Sequence, residues 1–593
     1  MGIFIKLKWF FKENLRMYAI GLLLLFLTDL SHVVPPYMIG LFTNEVVDRK
    51  LTWIYLLVFL SILALIYLLS YLFRYGWNTH IIKGAALLER TLRKRLYDHY
   101  MEMDAPFYQK YRTGDLMSHA SNDLSAIQRV ASGGILMAFD SSVSILLVVA
   151  SMIIFVDWRL TLIAIVPLPF LAVGVSWIMP RLRRAFTQYQ EGFSKMSDHA
   201  QESFLGMKVI KTLGQSKEDI QAFNEQTDRQ IRINARVARV DSMFDPLATI
   251  IMTFSYVLMI ILGSEFVLHK TITIGQLVSF TAYLSQLVWP MFALGQLFNV
   301  LERGNASYDR VMDLMNEKSL IHDDPRGVSV VKAGELNIRI KSFNYPDDPK
   351  AVLKNIDIKV PKGKTLGLVG PVGSGKTTIL RLLLREFDSY DGEIDFSGHD
   401  IRDYKLSSYL KKIGYVSQNN FLFSTNIAKN IAFSDPDLPQ NEVEKVAKLA
   451  ALHDDIMQMP KQYNTEVGEN GISLSGGQQQ RVAIARALIV SPAILILDDA
   501  LSAVDARTEK DILNALQHQS RDQTTIISAS RISSIINADE ILVFQHGKII
   551  ERGTHHQLLA QNGYYAKTFH QQEMASHYEA HFLLMERLSI VAI

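Results

Sequence analysis

Before residue 302 the chain repeatedly runs for about 20 residues with few charges, the length a helix needs to cross the hydrocarbon core of a bilayer. Segments 51–73, 160–180, 246–264 and 275–299 are the clearest; 17–39 and 135–156 are interrupted by Asp29 and Asp140. The pattern predicts six spanning helices. Their connections alternate: 40–50, 157–159 and 265–270 are short, whereas 74–134 and 181–245 are long. The long ones keep a helical period and lack Gly/Pro clusters, so they read as spans continued far out of the bilayer, each turning at its tip. Thr113 and Gly114 are expected to open a short helix in the first of these turns. Arg90, Arg93, Lys94, Arg95, Arg181, Arg183 and Arg184 place both long connections on the cytoplasmic side, and with them both termini.

After Arg303 the period changes to short β-rich runs alternating with helical segments: LNIRIKSFNY, NIDIKV, TLGLVG, ILILDD, TTIISA and EILVFQ. A cytosolic α/β domain follows from that alternation. The resulting division is a membrane domain over 1–315, a polar linker over 316–334 carrying His322, Asp323, Asp324 and Pro325, an α/β domain over 335–572, and a tail over 573–593 with no readable pattern.

Composition agrees with a mixed chain, since 49% of the 593 residues are hydrophobic and 20% charged. Sixty-one basic against 59 acidic residues leave no net field to attract nucleic acid, and the absence of cysteine excludes disulfides, thiolate metal sites and thiol nucleophiles. Lys6, Lys8, Lys12 and Arg16 stand among Trp9, Phe10 and Phe11, which suits a short helix in the headgroup layer better than a cleaved leader.

The chemistry is concentrated in the second half. The strand TLGLVG runs into Gly370-Pro-Val-Gly-Ser-Gly-Lys-Thr-Thr378 and then a helical segment, the strand-loop-helix context of a phosphate-binding loop. Gly370, Gly373 and Gly375 let the backbone wrap the phosphates, with Ser374 and Thr378 in the same loop and helix start; Lys376 reaches the β and γ phosphates of ATP, and Thr377 holds Mg2+. A second strand, Ile494-Leu-Ile-Leu-Asp498, ends in a carboxylate suited to the magnesium shell. Between them Leu474-Ser-Gly-Gly-Gln478 sets a glycine turn at a helix amino terminus, another anion-binding arrangement.

With these motifs the sequence resembles the exporter half-transporters of the ABC transporter superfamily, from the first span to about residue 572. That resemblance implies an α-helical membrane domain of six spanning helices with long cytoplasmic extensions, joined to an α/β P-loop ATP-binding domain. It further implies that Tyr345 stacks on adenine and that Gln418 links magnesium to the membrane domain. Ser475, Gly476, Gly477 and Gln478 would form the signature that closes on a partner's ATP, and Asp505 would lie in the segment that crosses to the other site. The stretches TGDLMSHASNDLSAI and ESFLGMKVIKTLGQ resemble the two intracellular-loop regions, the first including the coupling helix. Two ATP-binding domains meet head to tail in this superfamily, so a second half-transporter is implied.

Two residues depart from the superfamily pattern. Asp499 stands where a glutamate polarises the attacking water, and Ser530 where a histidine contacts the γ phosphate. Phosphoryl transfer rests on positioning and electrostatics, so this pair should weaken hydrolysis while sparing ATP binding. The chain then resembles the degenerate-site subunit of heterodimeric bacterial multidrug exporters, whose partner keeps the Glu and the His.

Expected cargo is a drug or an amphiphilic, lipid-like molecule carried out across the plasma membrane. A peptide exporter, or a regulatory ATP-binding subunit that gates a catalytic partner, is the alternative. Asp29 and Asp140 are candidates for a cationic substrate or an inter-helix bond. Met17, Met152, Met252, Met259 and Met291, with Phe26, Trp289 and Phe292, could line an adaptable apolar cavity or serve ordinary bundle packing.

Overall fold

The computed structural model describes residues 2–574 except 322, 324, 325, 347, 469, 470, 472, 520 and 521, and leaves the side chains at 168, 169, 171, 172, 175, 176, 292, 295, 518 and 519 undescribed. His322, Asp324, Pro325, the Phe292 side chain and the tail beyond Met574 therefore lie outside the described residues. The chain forms two compact units. The first holds the residues up to Met101 with Thr113–Glu317; the second holds Glu102–Arg112 with the chain from Lys318 onward.

The first unit is helical. Among the described residues, five of its helical stretches are long and apolar enough to cross a membrane: Leu15–Val47, Trp53–Glu102, Thr113–Phe155, Ser216–Leu268 and Ile274–Asn316. The predicted segment 160–180 is also helical but divided between Trp158–Ile165 and Leu168–Leu205, with Pro167 at the junction. The long connections are helical as expected, the second turning back through Met207–Thr212.

Proline chemistry explains a polar seam in this unit. Pro36 has no N–H for the His32 carbonyl one turn earlier, and Gln286 Nε2 donates to that carbonyl at 3.0 Å. Ser279 Oγ donates to Pro36 O at 2.8 Å and Tyr283 Oη to Val33 O at 2.9 Å. The helices come this close because Gly40 and Gly275 face each other: a Cβ on Gly40 would stand 2.6 Å from the Gly275 carbonyl oxygen. Asp29 and Asp140 also meet, their side chains within hydrogen-bonding reach.

Met152, Met252 and Met259 are buried in the unit's own core with Leu160, Phe280 and Tyr283, so of their two readings they follow bundle packing. Helical period gives an apolar face but not its neighbour. The amino-terminal helices Gly2–Lys6 and Lys8–Glu13, with Leu7 between them, bury Ile3, Leu7 and Phe10 in the protein, with Lys6 paired to Asp309 at 2.6 Å, and leave Ile5 exposed. One expectation changes: the stretch beginning at Thr113 belongs to the membrane unit, and the helix that groups with the second unit is the preceding one, Ala105–Lys110. Asp104 caps it, accepting from Phe107 N at 3.2 Å, and the extended Tyr111 ends it before Thr113.

Ten strands build the second unit: β1 Leu336–Phe343, β2 Leu353–Val360, β3 Thr365–Val369, β4 Asp391–Phe396, β5 His399–Asp400, β6 Ile413–Val416, β7 Ile494–Asp498, β8 Thr524–Ser528, β9 Glu540–Gln545 and β10 Lys548–Gly553. A four-stranded antiparallel sheet has the order β2-β1-β4-β5, and a six-stranded sheet the order β10-β9-β3-β8-β7-β6, parallel except for β10. Every residue of β7 and β8 is buried, as continuous apolar runs covered on both faces require.

Candidate active site

Parallel strands deliver their carboxyl ends to one edge of a sheet, and the site is built there. Register places Asp498 opposite Ser528 and Ser528 opposite Leu368, so the acidic strand and the strand leading into the phosphate loop finish level on either side of β8. The loop then turns through Gly370, Gly373 and Gly375, with φ of 150°, 77° and 106°. At Gly370 a Cβ would overlap the Phe544 carbonyl oxygen, which only glycine avoids.

Helix Lys376–Leu383 starts directly from this loop. Lys376 Nζ bonds Gly370 O at 2.6 Å and Pro371 O at 3.1 Å, folding the ammonium back over the loop. Burial pulls its pKa below the ordinary lysine value, although Asp498 and Asp499 oppose that shift. The ammonium is thus partly desolvated and strengthened as a partner for phosphate. Ser374 is 3% exposed and its Oγ has no protein partner, an orphaned donor that a phosphate oxygen would satisfy.

Thr377 Oγ1 donates to Asp498 Oδ1 at 3.4 Å, while Asp498 Oδ2 is buried without a partner. Burial raises the Asp498 pKa, with Asp499 adding to the rise and Ser528, Thr377 and Lys376 resisting it. A hydroxyl and an under-satisfied carboxylate are hard oxygen donors of the kind a magnesium ion takes beside nucleotide phosphates. Gln418 is exposed two residues past β6, whose Val416 pairs with Leu497 of β7, so it stands beside the acidic strand's end.

The two departing residues are joined. Ser530 donates both its backbone N–H, at 3.1 Å, and its hydroxyl, at 2.7 Å, to Asp499 Oδ1. Asp499 itself has a φ of 50°, and its N–H donates to Ser528 O at 2.8 Å. One carboxylate oxygen is therefore occupied by Ser530.

Tyr345 is half-buried, with its hydroxyl 3.1 Å from Thr378 Oγ1 and its ring edge-on to Phe343 and Phe387. Ser475 caps helix Gly476–Leu488 through a reciprocal capping box with Gln478, which leaves Ser475 and Gly476 exposed at the helix amino terminus. Asp505 is exposed and accepts from Thr508 N at 3.0 Å at the start of helix Ala506–Gln519.

Sequence reasoning missed two tethers. Gln480 is buried and clamps the segment after Asp499, donating to Ser502 Oγ at 3.2 Å and accepting from Ala503 N at 3.0 Å. Gln572 bonds Ser530 O at 2.9 Å and Ile532 N at 2.9 Å. No local motif marks either glutamine.

Comparison with known proteins agrees with this geometry. The ABC transporter transmembrane region matches residues 18–291, and the ABC transporter domain matches residues 353–502. The chain is 38% identical to the multidrug resistance-like ATP-binding protein MdlA of Buchnera aphidicola subsp. Schizaphis graminum, over 98% of this chain and 100% of that one. It is 38% identical to the probable multidrug resistance ABC transporter ATP-binding/permease protein YheI of Bacillus subtilis, over 96% and 97% of the two chains. The solved structure of a bacterial Atm1-family ABC exporter with ATP bound superimposes with a TM-score of 0.75 at 26% identity, covering 94% of this chain and 98% of that one. A multi-pass helical membrane domain fused to an ATPase domain that couples ATP hydrolysis to transport, with relatives of this kind along nearly its whole length, makes the chain a member of the ABC transporter family, an exporter-type half-transporter.

Proposed function

We propose that this half-transporter works in a heterodimer that moves drugs or amphiphilic, lipid-like molecules out across the plasma membrane, and that its own ATP site binds nucleotide with Mg2+ but hydrolyses it weakly. The two relatives above are named for multidrug resistance, and another, from Photobacterium profundum, is named an ATP-dependent lipid A-core flippase, 33% identical over 80% of this chain; apolar or amphiphilic cargo follows from those names. Both termini lie in the cytoplasm and six helices span the bilayer in this reading.

The observation that carries the reading is the Asp499–Ser530 pair. Aspartate is one methylene shorter than glutamate, and its Oδ1 is already engaged by two donors from Ser530. A carboxylate that must polarise a water needs a free lone pair within about 3 Å of that water. The phosphate loop and the orphaned oxygens of Ser374 and Asp498 remain equipped to hold ATP and its metal. When bound, the magnesium ion would neutralise charge on the phosphates, with Thr377, Asp498 and Gln418 as its protein-side groups. Exposed Ser475 and Gly476 stay available for the partner's nucleotide, whose loop, glutamate and histidine would supply the productive site.

The test is to install Asp499→Glu together with Ser530→His and to measure steady-state ATP turnover of the chain in lipid. A rise of about tenfold or more, the size of a positioned general-base contribution, is expected. Unchanged turnover would remove the assignment of these two residues as the cause of weak hydrolysis.

A further inference from the structure

Helix Ala105–Lys110 lies in the same compact unit as the phosphate loop. Its amino-terminal end is tied by Asp104 Oδ2, which accepts from Ser319 Oγ at 3.0 Å and from Leu320 N. At its other end Gln109, with its amide oxygen turned to the guanidinium, accepts from Arg381 Nη1 at 3.2 Å and Nη2 at 3.3 Å. Arg381 is on helix Lys376–Leu383, the helix that begins with the phosphate-binding lysine, one turn beyond Thr377 and Thr378.

Arg381 also belongs to the adenine side. The Tyr345 hydroxyl lies within its hydrogen-bonding reach and is itself 3.1 Å from Thr378 Oγ1. Phe387 closes the group, its ring 5.9 Å from the guanidinium carbon and edge-on to Tyr345 at 5.2 Å. Glu386 Oε2 stands 3.0 Å from Arg381 Nε as an ion pair without hydrogen-bond geometry. Burial would lower the Arg381 pKa, but the Tyr345 hydroxyl and Glu386 raise it above the ordinary arginine value. Only a planar fork with donors on several sides can hold Tyr345, Glu386 and Gln109 together, and lysine cannot.

We infer that Arg381 is a positioning residue that joins the nucleotide platform at Tyr345 to helix Ala105–Lys110, so that nucleotide docking on Tyr345 changes the grip on Gln109. The link is physical and short: a nucleotide base meeting the Tyr345 ring loads the hydroxyl that lies against both Thr378 and Arg381, and the same guanidinium donates to Gln109 through Nη1 and Nη2. Tyr345 as the adenine platform is part of the proposed function, and this inference rests on it.

The chain has no cysteine, so Arg112→Cys, at an exposed position just past the helix, gives a single site for a nitroxide label on the full chain in lipid with its partner. The readouts are fluorescent-ATP affinity and the ATP-dependent change in label mobility. Arg381→Ala and Gln109→Ala should each keep the affinity within about threefold, a difference too small to empty the site at saturating ATP. Each should reduce the label's response by about fivefold or more, the lower end of coupling between sites. Arg381→Ala combined with Gln109→Ala should do no more than either alone, and Arg381→Lys should recover only part of the response. If Arg381→Ala does not assemble, Gln109→Ala carries the same test. A full label response with normal affinity in Arg381→Ala or Gln109→Ala overturns the inference; unchanged ATP affinity in Tyr345→Ala overturns instead the platform reading beneath it.

Discussion

Asp499 combines a left-handed backbone with a carboxylate fixed by its neighbour across β8, and the two features have opposite consequences for substitution. Aspartate tolerates φ near 50° better than a longer side chain, so Asp499→Glu is expected to cost about 1 kcal/mol of stability in thermal unfolding even as it raises turnover. Ser530→Ala removes the hydroxyl donor but leaves the backbone N–H on the same oxygen, and turnover should stay low. The motif residues around this pair were legible because their chemistry depends on linear spacing: three glycines, a lysine and a threonine in one loop. Their joining was not, because Asp499 and Ser530 are 31 positions apart and only the register of β7 on β8 sets them face to face.

Among the helices, buried polar pairs and small residues decide the packing. Asp123, in a π-helical turn, accepts from Ser307 Oγ at 2.8 Å, from His119 Nδ1 at 2.6 Å and from Arg310. Burial would raise its pKa, yet the Arg310, Ser307 and His119 donors hold the carboxyl below the ordinary value. A depressed acid stabilises the fold fully above the unfolded value near about 4 and loses that contribution as pH falls through the lower folded value. Asp123→Asn should therefore destabilise the membrane unit at neutral pH by about 1 to 3 kcal/mol, and the difference from wild type should shrink in acid melts. Gly275→Leu would force apart the helices that meet at Gly40 and lower stability by about 1 to 3 kcal/mol, read in the same assay. The helical nature of the apolar segments and of the long connections could be read from hydropathy and period. The tie that holds the start of helix Ala105–Lys110 could not, because Asp104 Oδ2 meets Ser319 and Leu320 more than 200 positions later.

In the proposed heterodimer, a degenerate site on one chain and a competent one on its partner would make the two halves unequal. There, Gly476→Asp in this chain should abolish most ATP turnover, since on that proposal the glycine serves the partner's nucleotide. A Cβ at Gly476 would stand 3.7 Å from Ala503 Cβ, an ordinary contact, so the loss would not reflect misfolding. Lys376→Ala, in the phosphate loop of the degenerate site, should remove one bound ATP while leaving the larger part of turnover. The central claim, binding without matching hydrolysis, is tested most directly by measuring ATP bound and ATP hydrolysed on one sample of this chain purified alone in lipid with magnesium. The account predicts near-stoichiometric binding with little turnover; robust turnover from the native chain alone would contradict it and make Asp499 and Ser530 a working catalytic pair.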